Sequence, residues 1–278
     1  MLMCNPNSGL VSHRGQSGGR GLSPRVWAKL FGSALSPDGA SNAYDIDDDF
    51  LSFGAAAAGL YVSEGGLYKS YEDTGAAISQ IATEVGGVIN ISVDADDDQE
   101  AWLASGANTG VLGKISDTAS ADKLLIFEAR FRPSQIAAGN LFIGLGEEGL
   151  AAENTIDDSG DLASKDLIGF AVNEDAPSTL TFVYRKAGQA LQTPIASLAT
   201  LVAATWCKVG FVYDPNADPS KRISVYVDNE ESDTHVTATN IAAATFPDGE
   251  ELAFLVGVKN VTDIMSIDLD WWKFAQMG

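Results

Sequence analysis

The stretch TWCKVGFVYDPNADPSKRISVYVDNEE, residues 205–231, decides how this chain folds. Cys207, Val209, Phe211 and Tyr213 fall on one face of an extended segment, and Ile223, Val225 and Val227 oppose Ser224 and Tyr226 in the next. Apolar residues at every second position mark a strand with one dry face. The intervening YDPNADPSKR supplies Asp, Asn and Pro, and DNEESD follows the second segment, so both read as turns. Two adjacent antiparallel strands follow from this reading.

The same pattern extends outward in both directions. Further apolar runs are VINISV (88–93), EAWLAS (100–105), KLLIFEARF (123–131), LFIGLG (141–146), DLIGFAV (166–172), TLTFVYR (179–185), ELAFLVGV (251–258) and MSIDLDWWKF (265–274). Leu125, Phe127, Ala129 and Phe131 point one way, and Glu128, Arg130 and Arg132 the other. In the last run Met265, Ile267, Leu269 and Trp271 oppose Ser266, Asp268 and Asp270. Strands with one wet face build antiparallel sheets whose dry faces pack together. So many strands with so little helix predict an all-β fold, an antiparallel β-sandwich of jelly-roll type.

Composition limits the function classes. The chain has 278 residues, 45% of them hydrophobic and 20% charged, with a formal net charge of −21. That balance argues against nucleic acid, whose phosphates are bound by Lys and Arg releasing counterions. No apolar run reaches the ~18 residues of a membrane span, and the opening MLMCNPNSGLVSHRG holds no signal-peptide core. Cys207, on the dry face of its strand, is expected to be a small buried apolar residue rather than the partner of Cys4. His13 and His235 have no Cys or His at ligand spacing, so no zinc site is expected.

The charge is unevenly divided. Residues 1–37 carry Arg14, Arg20, Arg25 and Lys29 and no acid, so this segment is +4 and the remainder −25. Rich in glycine and poor in apolar residues, residues 1–37 are expected to form an extended basic arm with no core of its own. Residues 38–86 read as a connector with short elements, including a short helix or turn over 76–85, and residues 87–278 as the sandwich.

The order of strands over residues 85–277 resembles the concanavalin A-like, or laminin G-like, jelly roll. The likeness rests on WCKVGF and ISVYVD around the 214–222 turn, on FEARFRP, NLFIGLGEEG and DLIGFAV, and on the closing MSIDLDWWKFAQ. An alanine- and glycine-rich leader before such a domain also resembles tailed-bacteriophage virion proteins of the capsid-decoration or head-fibre kind. That resemblance implies a non-enzymatic structural protein, made in the host cytoplasm, located in the virion and partnered by capsid or other virion subunits, as a homo-oligomer. Attachment is assigned to the arm through Arg14, Arg20, Arg25, Trp27, Lys29, Leu30 and Phe31. Deleting residues 1–37 is then expected to leave a folded sandwich that no longer joins the particle.

The rival readings follow from the same fold. A carbohydrate-binding module recognising a host surface glycan would use Trp102, Trp271 and Trp272 as stacking platforms. A glycoside hydrolase needs two carboxyl groups about 5.5 Å apart for retention. Asp268 and Asp270 have the spacing but are expected on a wet sheet face, and Glu128 is expected to form a surface ion pair with Arg130. The acidic turn DADDDQE invites Ca2+, with Asp94, Asp96 and Asp98 as ligands, although the EF-hand spacing is absent. Asp233 and His235 lack a recognisable nucleophile, and no GxSxG, P-loop or dinucleotide motif is present. No catalytic residue and no required cofactor are therefore assigned.

Overall fold

The computed structural model describes residues 2–3, 21–28, 43–106, 112–115, 123–261 and 265–277. Strands account for 49% and helix for 4%, and two sheets pack face to face as a sandwich. The smaller sheet contains β2 (Ala43–Asp48), β6 (Ala77–Gln80), β7 (Ile89–Ser92), β9 (Leu125–Pro133), β14 (Cys207–Tyr213), β15 (Ile223–Val227), β16 (Glu230–Glu231) and β18 (Ser266–Met277). Its order is β16-β15-β14-β9-β18-β7-β6, with β2 also pairing β18. The strands that opened the sequence reading, β14 and β15, pair antiparallel with Phe211 opposite Val225.

The larger sheet contains β1 (Leu2–Met3), β3 (Gly54–Ala57), β4 (Leu60–Ser63), β5 (Gly66–Glu72), β8 (Glu100–Ser105), β10 (Asn140–Glu147), β11 (Leu167–Val172), β12 (Thr179–Arg185), β13 (Gln192–Thr200) and β17 (Leu252–Lys259). Its order is β1-β13-β12-β11-β10-β17-β8-β5-β4-β3. Every described pairing in it is antiparallel except β1 with β13. Among the described residues there are two short helices, α1 (24–28) and α2 (Ala238–Ile241). Thr237 caps α2, its hydroxyl accepting from Asn240 N.

Between the sheets lies one aromatic-rich core. Phe127, Phe170, Phe182, Phe211 and Phe254 meet in tilted and edge contacts, and Trp272 stacks on Phe254 with centroids 4.5 Å apart. Such pairs add to the burial of apolar area. A second apolar cluster lies on the outer face of the larger sheet, where Trp102, Phe142, Leu167 and Leu255 are covered by Leu150, Ile156 and Leu162. The cover is the connection between β10 and β11, residues 148–166. Hairpin loops usually have ~2–5 residues, so this one is long enough to fold back as a cap.

The sequence reading needs four corrections here. Residues 43–86 are not a connector, since β2 to β6 are built into both sheets, and β1 brings Leu2–Met3 into the larger sheet as well. Within 76–85 the chain forms β6 and turns, with no helix. In β18 a bulge between Leu269 and Trp271 shifts the register. An extra residue reverses which side chains face inward beyond it, so Trp272 enters the core and Trp271 faces outward beside Arg130. Cys207 is fully buried as expected, but it is disulfide-bonded rather than free. Cys4 lies outside the described residues.

Candidate functional site

The outer face of the smaller sheet carries a built socket, and its occupant is the root of the basic arm. Alternation along β9 points Ile126, Glu128 and Arg130 outward, and β14 points Lys208 and Val212 the same way. Val26 and Trp27 of α1 lie in an apolar cradle of Ile126, Val212, Tyr226 and Ala275. At its centre the Glu128 carboxylate accepts from Ser23 N at 3.1 Å through both oxygens and from Trp27 Nε1 at 2.6 Å. Lys208 Nζ donates to Gly21 O at 3.1 Å. Burial pushes the Glu128 carboxyl up, against the pull of Ser23, Lys208 and Trp27. Burial likewise lowers Lys208, opposed by Glu128 and Asp228. Outside the cradle Arg25 donates from its backbone to Asn229 at 2.9 Å and pairs with Glu230 at 2.8 Å.

Of the residues assigned to attachment, Trp27 is therefore 1% exposed against its own sandwich, and Arg25 holds an exposed surface pair. Arg14, Arg20, Lys29, Leu30 and Phe31 lie outside the described residues, as does His13. Glu128 is no surface partner of Arg130. It is 1% exposed and belongs to the arm's socket. Residues 21–28 are consequently part of the fold, so a deletion of 1–37 would strip the sandwich as well as the arm.

Beside the socket runs a row of ion pairs. Arg130 bonds Asp270, which is fully buried, and Arg132 bridges Asp268 and Glu84, each at 2.7 Å. Asn90 donates to Asp268 at 2.7 Å. Both guanidinium groups lie over the Trp206 ring, 4.1 and 4.6 Å from its centroid. Desolvation lowers the Arg132 guanidinium, but the hydrogen bonds it donates to Asp268 and Glu84 outweigh this and hold it above its usual value. The expected wet face for Asp268 and Asp270 is thus a packed ionic layer, and the pair is committed to arginines.

The stacking platforms are not presented to solvent. Trp102 and Trp272 are 0% exposed and Trp271 is 8% exposed. Trp272 Nε1 donates to Tyr68 OH at 3.0 Å, and Tyr68 in turn donates to the buried Asp48 at 2.5 Å. Trp102 lies over Gly257, where a Cβ would stand 2.2 Å from its Cε3. The cap then closes over it.

Where the cap meets the sheet, a second buried acid organises it. Glu100 accepts from Trp102 Nε1 at 2.6 Å, Asn154 N at 2.8 Å and Thr155 N at 3.1 Å. Lys259 Nζ lies 3.7 Å from Glu100 and donates to Ile156 O at 3.1 Å and Asp158 at 2.8 Å. Burial raises the Glu100 carboxyl, and the Trp102, Asn154 and Lys259 contacts lower it.

Of the expected calcium ligands, Asp98 stands 3.5 Å from Lys259, and Asp94 accepts from Asp96 N within its own turn. Asn260 Nδ2 donates to the carbonyls of Asp94 and Asp96. Among the described residues no three acidic, His or Cys side chains converge at metal-ligand spacing, so the turn is held by Asn260 and Lys259. His235 is lowered by burial, and its Nδ1 lies 3.8 Å from Glu231. Lys208 and Glu100 were missed, and the signal for both is a charge within a run that is otherwise apolar.

No known family's sequence pattern matches the chain, and no curated protein matches it. Solved structures match in shape. A protein of unknown function from Shewanella oneidensis MR-1 gives a TM-score of 0.52 at 17% identity, covering 89% of this chain and 92% of that one. An endo-beta-1,4-glucuronan lyase from the fungus Trichoderma reesei gives 0.50 at 12% identity, with 83% and 94% covered. A prokaryotic beta-1,3-1,4-glucanase (lichenase) derived from a mouse hindgut metagenome gives 0.50 at 12%, with 83% and 98% covered. The fold is a concanavalin A-like jelly roll. At these identities the jelly-roll likeness speaks for architecture, and folds of this kind host unrelated activities.

Proposed function

We propose that this jelly roll is a non-enzymatic structural module of an assembled particle, of the kind that decorates a phage capsid, attached through its basic N-terminal segment. One observation carries the reading. Glu128 is a carboxylate buried beneath α1, and the groups it accepts from are Ser23 N and Trp27 Nε1 of the arm's root. A buried acid is costly unless fully hydrogen-bonded, so fixing where the basic segment leaves the acidic body has been worth that cost. The carboxylates suited to catalysis are otherwise engaged: Asp268 and Asp270 with arginines, Glu100 with the cap.

Recognition of a glycan through Trp102 or Trp272 is not part of this proposal, because both rings are enclosed. The test uses a chain that starts at Gly21, which keeps the socket filled while removing Arg14 and Arg20 together with β1 and Cys4. Beside it, a full-length Arg14→Ser/Arg20→Ser chain separates the charges from the lost strand. The expected result for both is a folded protein that fails to co-sediment with the particle that the full chain joins. Full incorporation of either chain overturns the attachment role.

A further inference from the structure

The larger sheet ends differently on its two sides. At one end the chain's own β1 pairs with the last two residues of β13, Leu2 opposite Ala199 and Met3 opposite Thr200. At the other end β3 is the last strand, and among the described residues no strand lies beyond it. An edge strand presents a row of N–H and C=O groups to any chain of matching shape. Proteins usually blunt it with lysine, proline or an inward charge. None of these is present in β3. Ala55, Ala56 and Ala57 are exposed, and residues 50–63, FLSFGAAAAGLYVS, hold no charged side chain. The uncharged surface continues behind the edge. Val62 and Leu67 are cross-strand partners on the outer face, 42% and 47% exposed, and Gly54 lies in register with Val62.

We propose that the β3 edge is the contact surface for a second copy of this chain, pairing β3 with β3 antiparallel across a two-fold axis. The charge distribution selects this occupant. A basic partner would be drawn to carboxylates, and this edge offers none. Between the acidic bodies of two −21 chains, repulsion is least where charge is absent. Antiparallel pairing of one strand with itself satisfies the two-fold symmetry that closed dimers require. Methyl side chains let the two edges approach to the ~4.8 Å of a regular ladder. The bulge between Ala55 and Ala57 keeps that ladder short, so association should be reversible.

Sedimentation velocity of the full chain over a range of concentrations, at low and high salt, tests this. The expected result is a monomer–dimer equilibrium that salt strengthens, since screening weakens the repulsion between bodies. Ala55→Lys should shift the chain to monomer with an unchanged circular dichroism spectrum. Ala55→Thr, which suits a strand and adds no charge, should retain the dimer. A chain that stays monomeric throughout, or a dimer that Ala55→Lys leaves intact, overturns the proposal. Val62→Lys supplies a second readout should Ala55→Lys fail to fold. None of these variants touches the Trp27–Glu128 socket, so the attachment role stands or falls separately.

Discussion

The indole of Trp27 donates to the buried carboxylate of Glu128 at 2.6 Å, across 101 positions of sequence. The bond joins the basic arm to the middle of the acidic sandwich. Removing the donor alone, by Trp27→Phe, keeps most of the ring's burial and leaves Glu128 short of one partner, at a cost of about 1–3 kcal/mol. Trp27→Ala also empties the cradle of Ile126, Val212 and Tyr226 and should cost about 3–5 kcal/mol. Urea denaturation measures both. The combination of Trp27→Phe with Glu128→Gln should be less damaging than the sum of the single changes, because each removes the same bond.

Stability should fall as the pH rises above the ordinary carboxylate range. Burial raises the carboxyls of Glu100, Glu128 and Asp166 in the folded chain. A raised folded value means that the native state binds protons more tightly than the unfolded chain. The contribution is fully present below the unfolded value, 4.5 for the two glutamates, and is lost as the pH climbs through the higher folded values. Melting temperature measured from weakly acidic to neutral pH should therefore decline. Glu128→Gln should flatten part of that slope, and an unchanged slope would remove Glu128 from the account.

The extent to which the fold was legible follows from where side chains carry the pattern. Strands β7 to β12, β14, β15, β17 and β18 alternate or run continuously apolar, and periodicity finds them. Strands β2 to β6 are short and built largely from Gly, Ala, Asp and Tyr, so their pairing comes from neighbours rather than from their own sequence. β13 carries Pro194 and exposed Thr193, Ala196 and Ser197, which mask it as a loop. Trp102 and Trp272 were recognisable as aromatic residues beside acids. Whether such rings face solvent depends on the β18 bulge and on the cap, neither of which local sequence specifies. Glu128 was misplaced for a related reason: alternation correctly turned it outward, but the outer face is covered by α1.

The glycines beneath the cap should tolerate no side chain. A Cβ on Gly257 would meet the Trp102 ring at 2.2 Å and Ala101 O at 2.5 Å, and one on Gly144 would meet Ile168 O at 2.5 Å. Backbone cannot retreat as a flexible side chain can. Gly257→Ala is expected to destabilise by about 1–3 kcal/mol or more, read as a lower urea midpoint with an unchanged slope. Gly149→Ala, with open space around it but a φ of +84°, should cost less, from backbone strain alone.

Glu100 should govern the cap more than the sandwich. Its carboxylate accepts the N–H groups of Asn154 and Thr155 from the cap and Trp102 Nε1 from the sheet, with Lys259 at 3.7 Å. Glu100→Ala leaves these donors unpaired and Lys259 short of one buried counter-charge, a change in the range of 3–5 kcal/mol for a broken buried pair. Asp158 and Ile156 O still hold Lys259, which should bring the loss toward the lower end. The strands beneath are paired on both sides, so the loss should appear first as local opening. Hydrogen exchange would then accelerate across residues 150–163 and at the Trp102 indole, while β9 and β14 in the other sheet keep their protection. Equal acceleration in both sheets would mean that the cap and the sandwich unfold as one unit.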